Sequence, residues 1–266
     1  MLSSPSPPLV GGTPATWPHL LNYTVDRAYS TDQWTQLKAL WSPTSKIPTH
    51  ENAYWHMLQL RTVQPKGAHG HIGFNPSQSF EYFWMARQLA TQMQLSTPPS
   101  WPTVCEVGFG TGMSTAILAT ATSSATSSLL GGGTHHIFDC RYCAGTAGGK
   151  RPAWQYLEEV FGTRLQYHEG LSPKTMANLA KTSPASCDMI SIDGSHKYPD
   201  VLRDIEAAHA LAHKGTVLMF DDCQNPQINR SIVEGVEAGL IAIRHVFNAE
   251  AVRLCPTPLH THTHRH

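Results

Sequence analysis

The sequence has no excess of charge of either sign, because 19 lysines and arginines balance 19 aspartates and glutamates over 266 residues. This balance argues against nucleic acid or an anionic membrane as a partner, since both are recognised through a basic field. No apolar run reaches transmembrane length, and the first residues lack the basic and apolar regions of a secretory signal. We therefore expect a cytoplasmic protein, with an organelle transit segment as the alternative because the start is Ser-rich and acid-free.

The sequence also lacks the paired cysteine spacing of a disulfide framework or a zinc site. Its six cysteines, at positions 105, 140, 143, 187, 223 and 255, are scattered, and we expect them to be reduced thiols. Cys140 and Cys143 form a single C-x-x-C. A redox or zinc function would need a second pair or a thioredoxin-like setting, so we interpret this spacing as coincidental.

The order of composition along the chain predicts one α/β domain with additions at both ends. Residues 1–18 are rich in Pro, Ser and Gly and are expected to be disordered. Residues 19–100 form a helical N-terminal extension, residues 101–256 the main domain, and residues 257–266 a disordered His-rich tail. Aromatic residues recur at helical spacing over 32–41 and 79–90. We expect them to pack on the sheet; the alternative is a lid that contributes substrate contacts.

The most informative stretch is a short strand, a glycine turn and a helix over residues 104–120. The strand contains Glu106, the turn has Gly108, Gly110 and Gly112, and the helix begins near Met113. Glycines let the backbone approach a ligand closely, and the first helical N–H groups point at that ligand. A dinucleotide fold usually has G-x-G-x-x-G instead.

This E-x-G-x-G-x-G form resembles motif I of the class I S-adenosylmethionine-dependent methyltransferases. The resemblance implies that Glu106, Gly108, Gly110 and Gly112 bind S-adenosylmethionine. A second strand closes on Asp139, and a carboxylate at that place can accept hydrogen bonds from both ribose hydroxyls. The Ser-, Thr- and Gly-rich residues 119–133 between these motifs predict a loop expansion.

A third strand, over 165–170, is followed by a turn that often borders the adenine in this fold. The family frequently places an acid just after the glycine, but here Leu171 and Ser172 follow Gly170. The sequence therefore leaves the adenine contacts open.

A second set of polar residues follows the next two predicted strands. The first strand runs into the pattern I-D-G-x-H-x-Y-x-x-V-x-x-D, with Asp193, His196 and a final Asp204, and the next ends in F-D-D at Asp221 and Asp222. Alternating strands and helices predict a parallel sheet with ligands at the carboxyl ends of its strands. Six polar residues are predicted at that edge: Glu106, Asp139, Asp193, His196, Asp221 and Asp222.

These motifs resemble the family that includes macrolide-sugar and macrocin O-methyltransferases and cephalosporin-hydroxylase-like proteins, over about residues 102–223. The resemblance implies that Asp193, Asp221 and Asp222 hold a divalent cation and that His196 is the general base. Three converging carboxylates repel one another unless they are neutralised, and an all-oxygen site suits Mg²⁺. A histidine with a pKa of ~6.5 can accept a proton near neutral pH.

Each of these residues also has an ordinary structural interpretation. Asp193 and Gly194 could form a plain turn, Asp222 could cap the helix that begins near Asn225, and His196 could be a loop histidine. We favour the functional interpretation because the pattern occurs in the right strand–turn context.

The predicted fold is a Rossmann-like, doubly wound sheet of seven strands. It is mostly parallel, has a C-terminal antiparallel hairpin over 242–247 and 251–255, and carries the helical N-terminal extension. We expect Lys214 and Gly215 to end the helix that starts at Pro199. The predicted function is O-methylation of a small-molecule hydroxyl with S-adenosylmethionine and Mg²⁺. The alternatives are an NAD(P)-dependent oxidoreductase and a cofactor-binding protein without turnover. The sequence names neither the acceptor nor the oligomeric state.

Overall fold

The computed structural model describes residues 53, 56–57, 59–60, 76–124, 132–140 and 147–243. The predicted disordered start, the helix at 32–41, the His-rich tail and nearly all of the C-terminal hairpin lie outside these residues. Within them the chain alternates between helices and strands, as the sequence predicts. The elements are α1 (Pro76–Leu95), β1 (Val104–Val107), α2 (Met113–Ala121), β2 (His135–Asp139), α3 (Ala147–Phe161), β3 (Leu165–Glu169), α4 (Ser172–Thr182), β4 (Cys187–Ile192), α5 (Asp200–Leu211), β5 (Ala212–Phe220) and α6 (Pro226–Glu237).

The five strands form one parallel sheet in the order β3-β2-β1-β4-β5. The strand order reverses between β1 and β4, which is where a doubly wound sheet opens a crevice for a ligand. All four residues of β1 are buried, as expected for a central strand covered on both faces. The carboxyl ends of β1, β4 and β5 are in line, because Asp193 N donates to Val107 O at 2.9 Å and Asp221 N to Ile192 O at 3.2 Å.

A hydrophobic core covers each face of the sheet. One contains buried residues of α1, α2 and α3, with Ile117 and Leu157 at its centre, and also Ala53, Met57 and Leu60 from the N-terminal extension. The other contains residues of α4, α5 and α6, among them Met176 and Ile205. The described residues of the N-terminal extension are therefore part of this core, as packing against the sheet predicts.

The boundary between α5 and β5 differs from the sequence prediction. The helix ends at Leu211, because Ala212 already has an extended backbone with ψ 149°, and β5 begins there. Lys214 and Gly215 lie within the strand, at an irregularity in its pairing with β4. His213 N donates to Thr216 Oγ1 at 2.8 Å, which closes this local turn.

The strand count is supported only in part. Five parallel strands are present among the described residues, and residues 242 and 243, where the predicted hairpin would begin, are not in a strand. The remaining hairpin residues lie outside the described part of the chain. Within that part, no helix combines the length and the apolar character needed to cross a membrane.

The prediction of reduced thiols is wrong for the four cysteines that the structure describes. Cys105 of β1 and Cys187 of β4 form a disulfide bond with a Cα–Cα distance of 5.9 Å, and both are fully buried. Cys140 and Cys223 are also disulfide-bonded. Cys105 and Cys187 are 82 residues apart in sequence. Their pairing follows from the adjacency of β1 and β4, which cysteine spacing does not reveal.

Candidate active site

The glycine turn after β1 has the backbone that its sequence requires. Gly108, Gly110 and Gly112 all have positive φ, of 92°, 50° and 78°. Phe109, between the first two, points into the core, where its ring packs edge-on against Trp154 and Tyr167. The inward phenylalanine anchors the turn, while Gly110 is exposed at its tip and leaves the backbone accessible to a ligand.

Gly108 brings this turn into direct contact with the end of β4. A Cβ at Gly108 would lie 2.1 Å from the backbone oxygen of Asp193 and 2.9 Å from the Cα of Gly194. A side chain at this position would therefore push the two turns apart. The two motifs that the sequence analysis identified separately are thus packed together at one edge of the sheet.

Glu106 does not face the open edge. Its carboxylate is 1% exposed and accepts hydrogen bonds from Ser114 Oγ and, at 2.7 Å, from Thr115 Oγ1. His135 Nε2 lies 3.0 Å from Glu106 Oε2 but is not aligned as a hydrogen bond. Glu106 therefore fastens the first turn of α2 to β1 and supports the glycine turn from behind.

Asp139 lies at the end of β2 beside the glycine turn, as the sequence predicts. Its Oδ2 accepts a hydrogen bond from Phe109 N at 3.1 Å, which fixes the carboxylate against the turn. A ligand in the turn would meet this carboxylate directly. The position fits the predicted contact with ribose hydroxyls.

His196 lies between two carboxylates at the ends of β4 and β5. Its Nε2 is 3.4 Å from Asp193 Oδ1 and its Nδ1 is 3.6 Å from Asp222 Oδ2. All three side chains are partly exposed, at 44% for His196, 34% for Asp193 and 42% for Asp222. The hydrogen bond to Asp193 raises the pKa of His196, and the charges of Asp193 and Asp222 add to this effect.

Burial raises the pKa of Asp193, and the neighbouring Asp222 adds to the increase, although His196 opposes it. Burial and the nearby Asp193 raise the pKa of Asp221 to about 6. Asp221 Oδ1 accepts hydrogen bonds from Gln78 Nε2 at 2.5 Å and from the backbone N–H of Asp222 at 2.7 Å. The three acids are thus close enough to disfavour one another's ionisation, which a nearby cation would relieve.

The capping interpretation of Asp222 is wrong. Asn225 is the N-cap of α6, and its side chain accepts from Gln227 N at 2.9 Å. Asp222 instead has a positive φ of 50°, in the left-handed region that favours glycine. This conformation turns the chain sharply after Asp221 and leaves the Asp222 carboxylate beside His196.

The donor set fits a hard divalent cation by chemistry, since it offers three carboxylates and no thiolate or histidine pair. Among the described residues, however, no three His, Cys, Asp or Glu side chains stand as a formed coordination shell. His196 lies between two of the acids, and Gln78 binds the third. Asp193, Asp221 and Asp222 would have to reorient to bind a metal together.

Sequence reasoning missed two contributions from α1. Gln78 reaches Asp221 across 143 positions of sequence. Tyr82, one turn later, is buried, and its hydroxyl lies near enough to Asp221, Asp193 and Ser191 for their charges and dipoles to alter its pKa, which burial raises. The hydroxyl of Tyr82 and that of Ser191 are not placed so as to form a hydrogen bond with each other. The spacing of four residues between Gln78 and Tyr82 places both on one face of α1, but core packing gives the same spacing, so it carries no functional signal.

Fold and site together define the class of protein. A parallel sheet in this order, with a glycine turn on its central strand and acids at the ends of β2, β4 and β5, is a Rossmann-like α/β domain. Residues 105–223 match the family model described as a methyltransferase domain, Methyltransf_24. The match covers less than half of the chain and lies in the part that contains the glycine turn and the acids after β4 and β5.

A curated relative and several solved structures are also similar. An uncharacterized protein, R132, of Acanthamoeba polyphaga mimivirus is 31% identical over 84 residues, which are 29% of this chain and 35% of the viral protein. The match thus spans about a third of that relative.

Three solved structures cover most of this chain. CalS11, a TDP-rhamnose 3'-O-methyltransferase in calicheamicin biosynthesis, has 15% identity and a TM-score of 0.47 over 74% of this chain and 89% of its own. A putative O-methyltransferase from Klebsiella pneumoniae has 17% identity and a TM-score of 0.43 over 85% and 82%. MycE, of mycinamycin biosynthesis, solved with Mg and SAH, has 14% identity and a TM-score of 0.43 over 86% and 58%.

Proposed function

We propose that this methyltransferase domain transfers the methyl group of S-adenosylmethionine to a hydroxyl of a small-molecule acceptor, with His196 as the general base. The observation that carries the proposal is the position of His196 between Asp193 and Asp222, at the sheet edge that also holds the glycine turn. A base at that place is within reach of an acceptor that approaches a cofactor in the turn.

The chemistry needs a proton acceptor and alignment. As the acceptor oxygen attacks the methyl carbon, its proton passes to a neutral ring nitrogen of His196. The carbon–sulfur bond breaks, and its electron pair stays on sulfur, which gives S-adenosylhomocysteine and a methyl ether. The two flanking carboxylates stabilise the imidazolium that forms, and the same electrostatics raise the pKa of His196.

The cofactor residues have different roles in this proposal. The backbone of Gly108, Gly110 and Gly112 and the carboxylate of Asp139 would contact S-adenosylmethionine, and Glu106 would act by holding the helix behind the turn. The exposed tip of the glycine turn and the placement of Asp139 against it support this division.

A divalent cation is the finer part of the proposal, and Asp193, Asp221 and Asp222 would hold it. A bound Mg²⁺ would supply Lewis-acid activation of the acceptor hydroxyl. Burial, with a smaller contribution from neighbouring carboxylates, raises the pKa values of Asp193 and Asp221, which supports a cation there. The Asp221–Gln78 hydrogen bond would have to open for Asp221 to take part.

The first experiment is calorimetric titration of the whole chain with S-adenosylmethionine, S-adenosylhomocysteine and NAD⁺, followed by a methyl-transfer screen over sugar nucleotides, phenols and polyols. We expect binding of the two sulfur compounds but not of NAD⁺. His196→Gln should bind S-adenosylhomocysteine with an unchanged Kd and lose at least about a hundredfold in transfer rate. The wild-type rate should rise with pH as His196 loses its proton.

The outcomes separate the alternatives. Binding of NAD⁺ alone would favour the oxidoreductase, and cofactor binding without transfer to any acceptor would favour a protein without turnover. A His196→Gln variant with the wild-type rate would rule out His196 as the base. A Mg²⁺ binding signal that disappears in Asp221→Ala would support the cation, whereas activity unaffected by EDTA would oppose it.

A further inference from the structure

The last residue of the I-D-G-x-H-x-Y-x-x-V-x-x-D pattern has no part in the chemistry above. Asp204 lies on α5 and is 1% exposed. Its Oδ1 accepts a hydrogen bond from Ser172 Oγ at 2.5 Å, and among the described residues this is the only hydrogen bond of its side chain. Its Oδ2 faces Gly194 and lies 3.6 Å from the place that a Cβ would take there.

A buried carboxyl with one hydroxyl partner is costly to keep in a core. Burial raises the pKa of Asp204 to about 6, so the group is largely ionised near neutral pH in spite of its position. An apolar residue would fill the same space on α5 at lower cost. The interaction with Ser172 is therefore the feature that an acid at this position supplies.

Ser172 is the first residue of α4 and ends the turn that follows β3. The other end of this turn is tied to the cofactor side of the sheet, because Gly170 N donates to Asp139 O at 3.1 Å. Leu171, between them, is 65% exposed and is the N-cap of α4 with no side-chain cap. The turn thus presents an apolar side chain at the sheet edge and is held at both ends by hydrogen bonds.

This turn lies where the base of a bound nucleoside would be placed. A ligand that extends from the glycine turn past Asp139 next meets the end of β3, because β3 follows β2 in the sheet. A purine needs an apolar surface and a few fixed polar groups. Leu171 offers the apolar surface, and Asp204 fixes the position of Leu171 through Ser172.

Asp204 also contacts the turn that carries the proposed base. A Cβ at Gly194 would lie 2.9 Å from Val107 Cγ1 and 3.6 Å from Asp204 Oδ2, so the carboxyl packs close behind the Asp193–Gly194 turn. One buried acid thereby joins the turn after β3 to the turn after β4.

We propose that Asp204 is a positioning residue for the purine half of the cofactor, and that it acts by holding Ser172 and hence Leu171 at the carboxyl edge of the sheet. This inference rests on the proposed function, since it assumes that the chain binds S-adenosylmethionine. It assigns Asp204 to cofactor affinity, and no contact between Asp204 and the acceptor is involved.

The test compares Asp204→Ala, Asp204→Asn and Ser172→Ala by calorimetry with two probes, S-adenosylhomocysteine and 5'-methylthioadenosine, which lacks the amino-acid half. Asp204→Ala and Ser172→Ala should weaken both probes by about tenfold, because both lose the same hydrogen bond. Asp204→Asn should stay within about threefold of wild type, since the amide oxygen can still accept from Ser172.

The chain offers a matched control on the same helix. Ser195 Oγ donates to Asp200 Oδ2 at 3.0 Å, a second Ser–Asp pair at the partly exposed start of α5. Ser195→Ala and Asp200→Asn should leave the affinity for 5'-methylthioadenosine unchanged. Urea unfolding of every variant separates lost affinity from lost folding, and Ser172→Ala decides the matter if Asp204→Ala does not fold.

The results distinguish the two levels of the proposal. A wild-type chain that binds neither probe would overturn the proposed function and this inference together. A wild type that binds both probes, with Asp204→Ala and Ser172→Ala binding 5'-methylthioadenosine equally well, would overturn the inference alone. Lower stability at unchanged affinity would likewise give Asp204 a purely structural role.

Discussion

Single residues set the geometry of this site through close contacts, and Gly108 is the clearest case. The backbone oxygen of Asp193 stands 2.1 Å from where a Cβ would be, so the glycine turn and the Asp193 turn meet only because residue 108 has no side chain. The sequence predicted this glycine from its likeness to a cofactor turn. It did not reveal that the residue also brings the two motifs together.

Glu81 on α1 provides a test of pH dependence. Burial raises its pKa from 4.5 to about 7. Between these two pKa values the folded protein therefore binds more protons than the unfolded chain. Its stability falls as the pH rises through this range. We expect Glu81→Gln to be more stable than wild type at about pH 8, by about 2 to 3 kcal/mol, and equally stable at about pH 4.5, as measured by urea unfolding.

The exposed Glu158 on α3 supplies the control for this measurement. Glu158→Gln removes the same charge from a solvated helix face and should change stability by less than about 0.5 kcal/mol at either pH. A Glu81→Gln gain that is the same at both pH values would show that ionisation of Glu81 is not its cause.

The residue types at the site were predictable, but some of their structural roles were not. Asp193, His196 and Asp222 come together because parallel strands end at one edge of the sheet. The hydrophobic periodicity of the strands and helices, together with the motifs, is enough to predict this proximity. That Asn225 rather than Asp222 caps α6 depends on the positive φ of Asp222, which local propensity disfavours for a non-glycine residue. Gln78 depends on tertiary docking of α1 and has no local signal.

At the scale of elements, the C-terminal end of α2 depends on a buried arginine. Arg164, 7% exposed, donates to Gly133 O at 2.8 Å, Ser123 Oγ at 2.7 Å, Thr122 Oγ1 at 3.1 Å and Ala119 O at 3.2 Å. These groups belong to the last turn of α2 and to the segment that returns to β2. The arginine thus closes both ends of the Ser- and Gly-rich insertion against the domain.

We expect Arg164→Leu to lower the free energy of unfolding by about 3 kcal/mol or more, because it leaves several buried acceptors without a donor. Arg164→Lys should be intermediate, since one ammonium group cannot reach every acceptor of the guanidinium. Urea unfolding measures both variants.

Arg203 on α5 is the matched control, because its side chain is 61% exposed and its contact with Asp200 Oδ1 is long, at 3.5 Å. Arg203→Leu should change stability by less than about 0.5 kcal/mol. If Arg164→Leu cost no more than Arg203→Leu, the capping role of Arg164 would be wrong.

Most of the elements that the structure describes were predictable to within a few residues, and the end of α5 is an informative case. The sequence indicated that Lys214 and Gly215 end a helix, because this pair is a common helix stop. In the structure α5 ends at Leu211, since Ala212 already pairs with Cys187 of β4. Tertiary pairing overrode the local signal, and the lysine and glycine became an irregularity in a strand.

For the whole molecule, the disulfide bonds bear on where the protein folds. All four described cysteines are disulfide-bonded, and disulfides are rare in reducing compartments. Cytoplasmic localisation was predicted from the sequence and stays a prediction, while these bonds favour an oxidising compartment. Cys105 and Cys187 join the two central strands, and so they link the glycine turn covalently to the strand that leads to Asp193.

The Cys105–Cys187 bond closes a loop with a sequence separation of 82 residues. Loop-closure entropy then predicts that the bond stabilises the domain by about 4 kcal/mol. Cys105→Ala combined with Cys187→Ala should lose roughly that amount in urea unfolding without reductant, and adding reductant should destabilise the wild type by at least as much.

If mass spectrometry of the chain purified from an oxidising compartment found both thiols free, or the double variant matched the wild type, the bond would have no such role. A wild type of equal stability with and without reductant would instead restore the cytoplasm as the expected compartment.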